Sequence, residues 1–346
     1  MTSLPNNQHP EAGWLLLTND DGIEAIGFRL LVQALHEAGH AIIVFAPAEN
    51  QSATGMSINL NTSMKLRHRS DLIAEWGLCK NDAAAPIHMY ELHGRPCDTV
   101  IVALDGGLQR LIPDIEPRLV VSGVNLGPNL SQDSLHSGTM GAAREAGLYG
   151  MPAIATSFAS FDPEGIEHAI TATVELVELA LKILPVIPEN RCRPHVDITA
   201  PHISRWPEIP QHPAWESDPI NALRTAFRHG ELMLNLNVPP QWDGTWATTR
   251  LGLRWYRNAV MFDDGSAEDG QADGQLSGET ATFKIAGAQI YHDPILLGDC
   301  DAVAANKASI SCMPTWPQTH PLALDDKLLT WALDFSDGGT PNWLVE

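Results

Sequence analysis

The chain has 346 residues, 44% of them hydrophobic, and a formal charge of −21. That length holds one large domain or two ordinary ones, with an apolar share normal for a globular core. The negative field repels nucleic-acid duplexes, and no apolar run reaches the ~18 residues of a membrane span, so neither a duplex nor a membrane is an expected partner. A small phosphate ester is repelled as well and needs a local cation to land. Residues 1–13 are polar, lack the charged and apolar blocks of a secretory signal, and read as a disordered tail. The five cysteines, Cys79, Cys97, Cys192, Cys300 and Cys312, contain no Cys-x-x-Cys pair. A zinc site or disulfide framework is not expected, and a reducing cytoplasm fits.

Taken in chain order, residues 14–18 form an apolar run of strand length that stops on Asn19, the adjacent carboxylates Asp20 and Asp21, and Gly22. A helix-period segment follows over 25–38, with Ile26, Leu30, Leu31 and Leu35 on one face and Gly39 at its end. Strand, acidic turn and helix make the first unit of a doubly wound α/β sheet, in which ligands sit at the carboxyl ends of the strands. Two carboxylates beside a glycine there suit a hard divalent cation. The alternative is that one of them caps the helix. Strand 41–46 runs into the loop 47–55, and short strands are predicted at 57–60, 64–67 and 88–92. A helix over 98–108 and a buried strand over 119–122 come next. A loop rich in Gly and Asn then leads to a helix opened by Ser137 or Gly138 and reaching Leu148. Strand 153–156 and an amphipathic helix over 164–184, stopped by Pro185 and Pro188, complete the regular half.

The second half alternates less cleanly. Strands are predicted at 231–238, 250–256 and 308–312, and a terminal helix at 322–335. The acidic, Gly-rich stretch 263–279 lacks EF-hand spacing and flanking helices and reads as a surface loop. No repeat or clean linker interrupts the chain. The expected architecture is one domain over 14–346. It has an α/β core over 14–190 and, over 191–346, the remainder of that core with a β-rich extension.

Three further segments fall at strand ends of the same sheet, where they can converge on Asp20 and Asp21. The loop after the second strand carries the hydroxyls of Ser52 and Thr54. The run Ser122-Gly123-Val124-Asn125-Leu126-Gly127-Pro128-Asn129 offers neutral amide oxygens, and its glycines let backbone amides approach an anion. His136-Ser137-Gly138-Thr139 opens a helix whose free N–H groups and two hydroxyls form a phosphate cradle. Taken alone, Ser137 reads as an ordinary N-cap. Together, two carboxylates, an amide and a helix-terminal cradle are what metal-assisted phosphoester hydrolysis requires.

On Thr18-Asn19-Asp20-Asp21-Gly22, Asn50-Gln51-Ser52, the run from Val120 to Leu130, and Ser137-Gly138-Thr139, the chain resembles the SurE survival-protein family of metal-dependent nucleotidases and acid phosphatases. The likeness is close over 14–157 and looser over 232–239 and 298–314. It implies a SurE-like, Rossmann-type sheet whose C-terminal extension serves oligomerisation. It also implies one divalent cation (Mg²⁺, Mn²⁺ or Co²⁺) held by Asp20, Asp21, Ser52 and Asn125, and a phosphate site lined by Asn129, Ser137, Gly138 and Thr139. The implied activity is hydrolysis of nucleoside 5′- and 3′-monophosphates by a cytoplasmic homodimer or homotetramer that exchanges C-terminal segments. Asp20 and Asp21 are the expected catalytic pair, with either a metal-activated water or Asp20 itself attacking phosphorus. His136 is a candidate proton donor to the leaving oxygen.

The sequence also departs from the family pattern. Pro47-Ala48-Glu49 stands in place of Pro-Asp-Arg, which removes a loop arginine that would help hold an anion. Leu126 replaces a small residue, and its bulk is expected to narrow the pocket. These departures motivate one rival from another class, a catalytically weakened nucleotide or metal sensor of the same fold. A haloacid-dehalogenase-type phosphatase needs Asp-x-Asp, whereas here the acids are adjacent. A response-regulator receiver needs an aspartate ending the strand 119–122, where Ser122 stands.

Overall fold

A strand covered on both faces reads as an uninterrupted apolar run, and the first strand, β1 (Trp14–Thr18), has that character for this reason. Leu15 and Leu17 enter one hydrophobic core while Trp14 and Leu16 enter another on the opposite face. The computed structural model describes residues 13–78, 85–113, 115–186, 215–262, 282–286, 288–320 and 322–345. The expected tail over 1–12, the acidic stretch 263–279, Cys79 and Cys192 lie outside the described residues.

The strands that follow are β2 (Ala41–Pro47), β3 (Leu66–His68), β4 (Ile87–Leu92), β5 (Pro117–Leu126), β6 (Ala153–Phe158), β7 (Leu232–Val238) and β8 (Trp246–Thr249). After them come β9 (Leu253–Arg257), β10 (Val260–Phe262), β11 (Phe283–Ile285), β12 (Gln289–Asp293) and β13 (Ala308–Pro314). The helices are α1 (Ile26–Glu37), α2 (Ser70–Glu75), α3 (Pro96–Val102), α4 (Leu108–Leu111), α5 (Asp133–His136) and α6 (Gly138–Leu148). They continue with α7 (Ile166–Ile183), α8 (Pro219–Arg228), α9 (Asp299–Ala304), α10 (Asp326–Trp331) and α11 (Asn342–Val345).

Nine strands form one sheet in the order β3-β4-β2-β1-β5-β6-β7-β13-β8. Its central six, from β4 to β7, are parallel, and β3 and β13 run antiparallel to β4 and β7. Phe28 of α1, Leu176 of α7 and Phe227 of α8 fill the core on one face. Val100 of α3 with Met140 and Ala146 of α6 fill the other. The chain builds outward from β1 through β2 to β4, then returns so that β5 pairs with the other edge of β1. The reversal between β1 and β5 is the topological switch point, and a doubly wound sheet opens its crevice there.

The doubly wound, mostly parallel sheet therefore matches the expectation, and a β-rich region follows it. Several elements differ. Residues 57–60 form no strand, and β3 starts at Leu66 because it pairs antiparallel with the end of β4. The predicted helix 98–108 opens earlier, at Pro96, and is broken by a kink at Asp105 and Gly106, where Gly106 takes φ 96°. α8, which Asp218 caps and Pro219 opens, is an addition to the expected elements. The single terminal helix expected at 322–335 is instead the short α10 and, beyond a bridge from Phe335 to Pro341, α11. Trp343 of α11 is buried and packs on Phe227 of the same chain with ring centroids 5.4 Å apart.

Strands β9 and β12 pair with each other, as do β10 and β11, so 253–262 and 283–293 form a two-stranded antiparallel arm outside the main sheet. Ile285 on that arm is 84% exposed and Val260 63%. Among the described residues no helix is long and apolar enough to cross a membrane.

Candidate active site

The site is assembled where β1 and β5 end. β1 is closed by a turn in which Asn19 Nδ2 donates to Gly22 O at 2.8 Å, and Ile23 N–H ties that turn to Pro47 O at 2.8 Å. α1 begins after Ala25 with no side-chain cap and no acid in its first turn. Neither Asp20 nor Asp21 caps it, so the helix-cap alternative fails and both carboxylates are directed elsewhere.

Asp20 is buried and reaches across the switch point to the start of α6. Thr139 N–H donates to its Oδ2 at 3.0 Å and the Thr139 hydroxyl donates to its Oδ1. Asp21 is half-buried; its Oδ2 accepts Leu126 N–H at 2.9 Å and its Oδ1 accepts Asn50 Nδ2 at 3.4 Å. Burial raises the Asp20 carboxyl above its ordinary range even against the Thr139 hydrogen bonds. Asp21 is pushed up to about 6, first by burial and then by the charge of Asp20. Among the described residues no Lys, Arg or His makes an ion pair with either acid, so the charge of the pair is not offset.

β5 delivers Asn125 through an irregularity. Ser122 lies opposite Thr18 of β1 and Ala155 of β6, but register with β6 is lost until Asn125 meets Ser157. Gly123 permits this: it takes φ 131°, and a Cβ there would sit 2.2 Å from Thr156 O. Asn125 Nδ2 then donates to Gly127 O at 2.8 Å, while its Oδ1 receives no hydrogen bond from the described residues. Leu126 packs against the α1/α7 core, and its amide is the group that meets Asp21. The side chain whose bulk is expected to narrow the pocket is partly buried against these apolar neighbours.

The loop after β2 is fastened to Asp20 itself, with Gln51 N–H on Asp20 O at 2.6 Å. Ser52 is exposed on that loop, its N–H held by Asn50 Oδ1 at 2.9 Å. At the start of α6, Ser137 Oγ accepts Met140 N–H at 3.1 Å and is an N-cap. Gly138 lies against Asp20, where a Cβ would come within 2.8 Å of the Asp20 Cβ. The helix start thus faces the Asp20 carboxylate, and Thr139 spends both its donors there. His136 is exposed, and its carbonyl accepts Gly55 N–H at 2.8 Å.

Asn129 is buried in a network the sequence reading missed. Its N–H meets Asn237 Oδ1 at 2.8 Å, its Nδ2 meets Ser157 Oγ at 2.7 Å, and its carbonyl accepts Asn235 and Asn237 amides at 3.0 and 3.1 Å. The available signal was Asn-x-Asn inside the apolar strand β7, a spacing that puts both amides on one face. Buried Asp299 was missed too. It accepts Ser131 N–H at 3.0 Å and Gly252 N–H at 2.8 Å, joining the site loop to the root of the arm.

Fold and site together define a doubly wound α/β protein with an adjacent carboxylate pair at its switch point, one member of which is buried against a helix N-terminus. The family model for survival protein SurE matches residues 15–258, and the chain belongs to that family. It is 32% identical over 245 residues to the 5′-nucleotidase SurE of Synechococcus sp. strain CC9311, spanning 70% of this chain and 71% of that protein. Likeness to the 5′-nucleotidase SurE of Synechococcus elongatus is 38% over 164 residues, and the match spans 58% of that protein's length. The crystal structure of SurE from Aquifex aeolicus shares the fold, with a TM-score of 0.57 and 21% identity over 88% of this chain and 95% of that one.

Proposed function

We propose that the chain is a metal-dependent phosphomonoesterase that hydrolyses nucleoside 5′-monophosphates, 3′-monophosphates or both to nucleoside and phosphate. The observation that carries this reading is the unneutralised Asp20–Asp21 pair at the switch point, beside the α6 start. The residues there fit a hard divalent cation such as Mg²⁺, Mn²⁺ or Co²⁺, because every donor is oxygen. A carboxylate oxygen has two acceptor positions, so Asp20 and Asp21 keep about half of their acceptor capacity after the hydrogen bonds described. Asp20, Asp21, Ser52 and Asn125 would hold the ion, which when bound supplies Lewis-acid polarisation of a phosphoryl oxygen. Thr139 holds the Asp20 carboxylate in place through two donors. Leu126 N–H and Asn50 orient Asp21. Asn129, fixed by Asn235, Asn237 and Ser157, lines the phosphate site together with Ser137, Gly138 and the α6 N-terminus, whose dipole favours an anion. The intact set of these residues favours an enzyme over a sensor.

Purified protein with Mn²⁺ is expected to release phosphate from nucleoside monophosphates and to lose that turnover in excess chelator. Absence of turnover on 5′- and 3′-nucleotides with Mg²⁺, Mn²⁺ and Co²⁺ alike would refute the reading.

We also propose a homo-oligomer, a dimer or tetramer, built through the arm. A two-stranded ribbon is marginal alone in water, and this one exposes Val260, Phe283, Ile285 and Ile290. Packing of α11 into its own core supports the arm rather than the terminal helix as the interface. Light scattering at micromolar concentration is expected to give at least twice the 37.6 kDa chain mass, and Ile285→Asp is expected to lower it. A monomeric wild type would refute the interface.

A further inference from the structure

Next to the acidic pair, a cavity of about 290 Å³ opens between the loop after β2 and the turn after β4, lined by Glu49, Gln51, Asn59, His93 and Arg95. It shares a wall with the candidate site. Gln51 N–H binds the Asp20 carbonyl at 2.6 Å, Asn50 Nδ2 reaches Asp21 Oδ1 at 3.4 Å, and Gly22 lies against the Glu49 backbone. A group joined to a phosphate at the acidic pair therefore has this cavity as its neighbour.

Two charges in the lining are unspent. The Glu49 carboxylate has no hydrogen-bond or ion-pair partner among the described residues. Among the described residues the Arg95 guanidinium meets only the Ile58 carbonyl, at 3.4 Å. Charged groups close by are spent on each other: Arg69 binds Glu24, Asp71 and Glu91, and Asp98 accepts Asn59 and the Arg95 N–H. The lining is mostly polar, and His93 is its one aromatic ring. Such a surface suits a hydroxyl-rich group better than a stacked base, and the volume lies at the small end of ligand pockets.

We propose that this cavity takes the ribose of the nucleotide, with the Glu49 carboxylate accepting from the sugar hydroxyls and selecting ribonucleotides over 2′-deoxyribonucleotides. The inference rests on the phosphomonoesterase reading above. A carboxylate is an acceptor only and vicinal hydroxyls are donors, which is how acidic residues hold the ribose 2′-OH in dinucleotide-binding folds. Arg95 on the same cavity offsets the charge that Glu49 adds near a phosphate. Glu49 is also a position at which this chain departs from the family pattern, so the preference is its own.

The test compares adenosine and 2′-deoxyadenosine 5′-monophosphates, with p-nitrophenyl phosphate as a substrate lacking a sugar, in Mn²⁺ buffer. A charge-assisted hydrogen bond at an exposed carboxylate predicts a ribo-to-deoxy kcat/KM ratio of about 10 in the wild type, carried by KM. In Glu49→Ala the ratio is expected to fall to about one. A wild-type ratio near one, or a ratio kept in Glu49→Ala, would overturn the proposal. Calorimetric titration with adenosine and 2′-deoxyadenosine gives a second readout independent of turnover: tighter adenosine binding that Glu49→Ala abolishes supports the subsite, and equal binding of both nucleosides overturns it. Failure of the wild type on all three phosphomonoesters, and on 3′-nucleotides, with Mg²⁺, Mn²⁺ and Co²⁺ alike would refute the phosphatase reading, leaving the titration to decide the cavity.

Discussion

Replacing Asp21 by Asn is expected to lower Mn²⁺-supported phosphate release by about 10²-fold or more, equivalent to a barrier increase of roughly 3 kcal/mol. The amide keeps the shape of the side chain and can still accept the Leu126 N–H, but it removes a charge that a cation needs. Asp20→Asn is expected to act alike on turnover. There the new amide Oδ1 takes the Thr139 N–H, and the Thr139 hydroxyl turns to accept from Nδ2, so the link to α6 survives. Stability moves the other way in metal-free protein. The Asp21 carboxyl is pushed up to about 6 in the fold against an ordinary 3.8. The folded chain therefore binds more protons than the unfolded chain between about pH 4 and 6. The contribution of Asp21 to stability is largest near pH 4 and below, and is lost as pH rises through 6, where its charge is fully developed. Asn has no such charge, so Asp21→Asn should melt higher than wild type at pH 7.5 in chelator, by something on the order of 2 kcal/mol after allowance for partial exposure. The two should converge near pH 4. Added Mn²⁺ should restore the advantage of the wild type, because an ion that binds only the folded state stabilises it. Thermal melts with and without metal at the two pH values, beside phosphate-release assays, check all of these. Turnover near wild type in both variants, insensitive to chelator, would sink the metal assignment.

The Gly138→Ala variant is expected to separate activity from folding in a second way. A methyl at this position meets the Asp20 Cβ at 2.8 Å, Thr54 Oγ1 at 2.9 Å and Asp20 Oδ2 at 3.0 Å. The Asp20 carboxylate and the Thr54 hydroxyl are both held by hydrogen bonds, to Thr139 and to the Gln51 carbonyl, so the carboxylate must shift by several tenths of an ångström. Helix propensity favours Ala over Gly by about 1 kcal/mol, whereas forcing a methyl into a packed site costs about 1–3 kcal/mol. The net loss of stability is thus about 0–2 kcal/mol, and the variant folds. Turnover is more sensitive, because the displaced atoms belong to the acid that the reaction depends on. Misplacing a catalytic group by about 1 Å costs on the order of 10²-fold, so a drop of 10- to 100-fold is expected. Kinetics at saturating substrate and metal, together with a chemical melt, check the result. Unchanged kcat would show that the start of α6 does not set the position of Asp20.

Much of the first half was legible because its signals are local. The strand at 14–18 was read to the residue and the helix 138–148 nearly so, since an apolar run ended by Asn-Asp-Asp-Gly and a Ser N-cap act within a few residues. The second half was read less well, for a physical reason. α8 follows a Pro- and Trp-rich stretch that hides its Asp218 cap, and β8 is an edge strand whose only strand partner among the described residues is β13, about sixty residues later. The arm strands bury little, so the alternation of apolar and polar residues that marks a half-covered strand is missing from them.

By itself, then, the sequence determined which residues can bear the chemistry: two adjacent acids, an amide-rich loop and a helix start, each fixed by turn and cap preferences within its own segment. Which donor meets which acid was decided only by tertiary structure. Thr139 reaches Asp20 across 119 residues and Leu126 reaches Asp21 across 105. Those meetings depend on the register of β5 against β1 and β6, on the bulge at Gly123, and on the packing of α6 against the sheet. Each is set by the fit of two surfaces far apart in the chain, and no window of local sequence contains both.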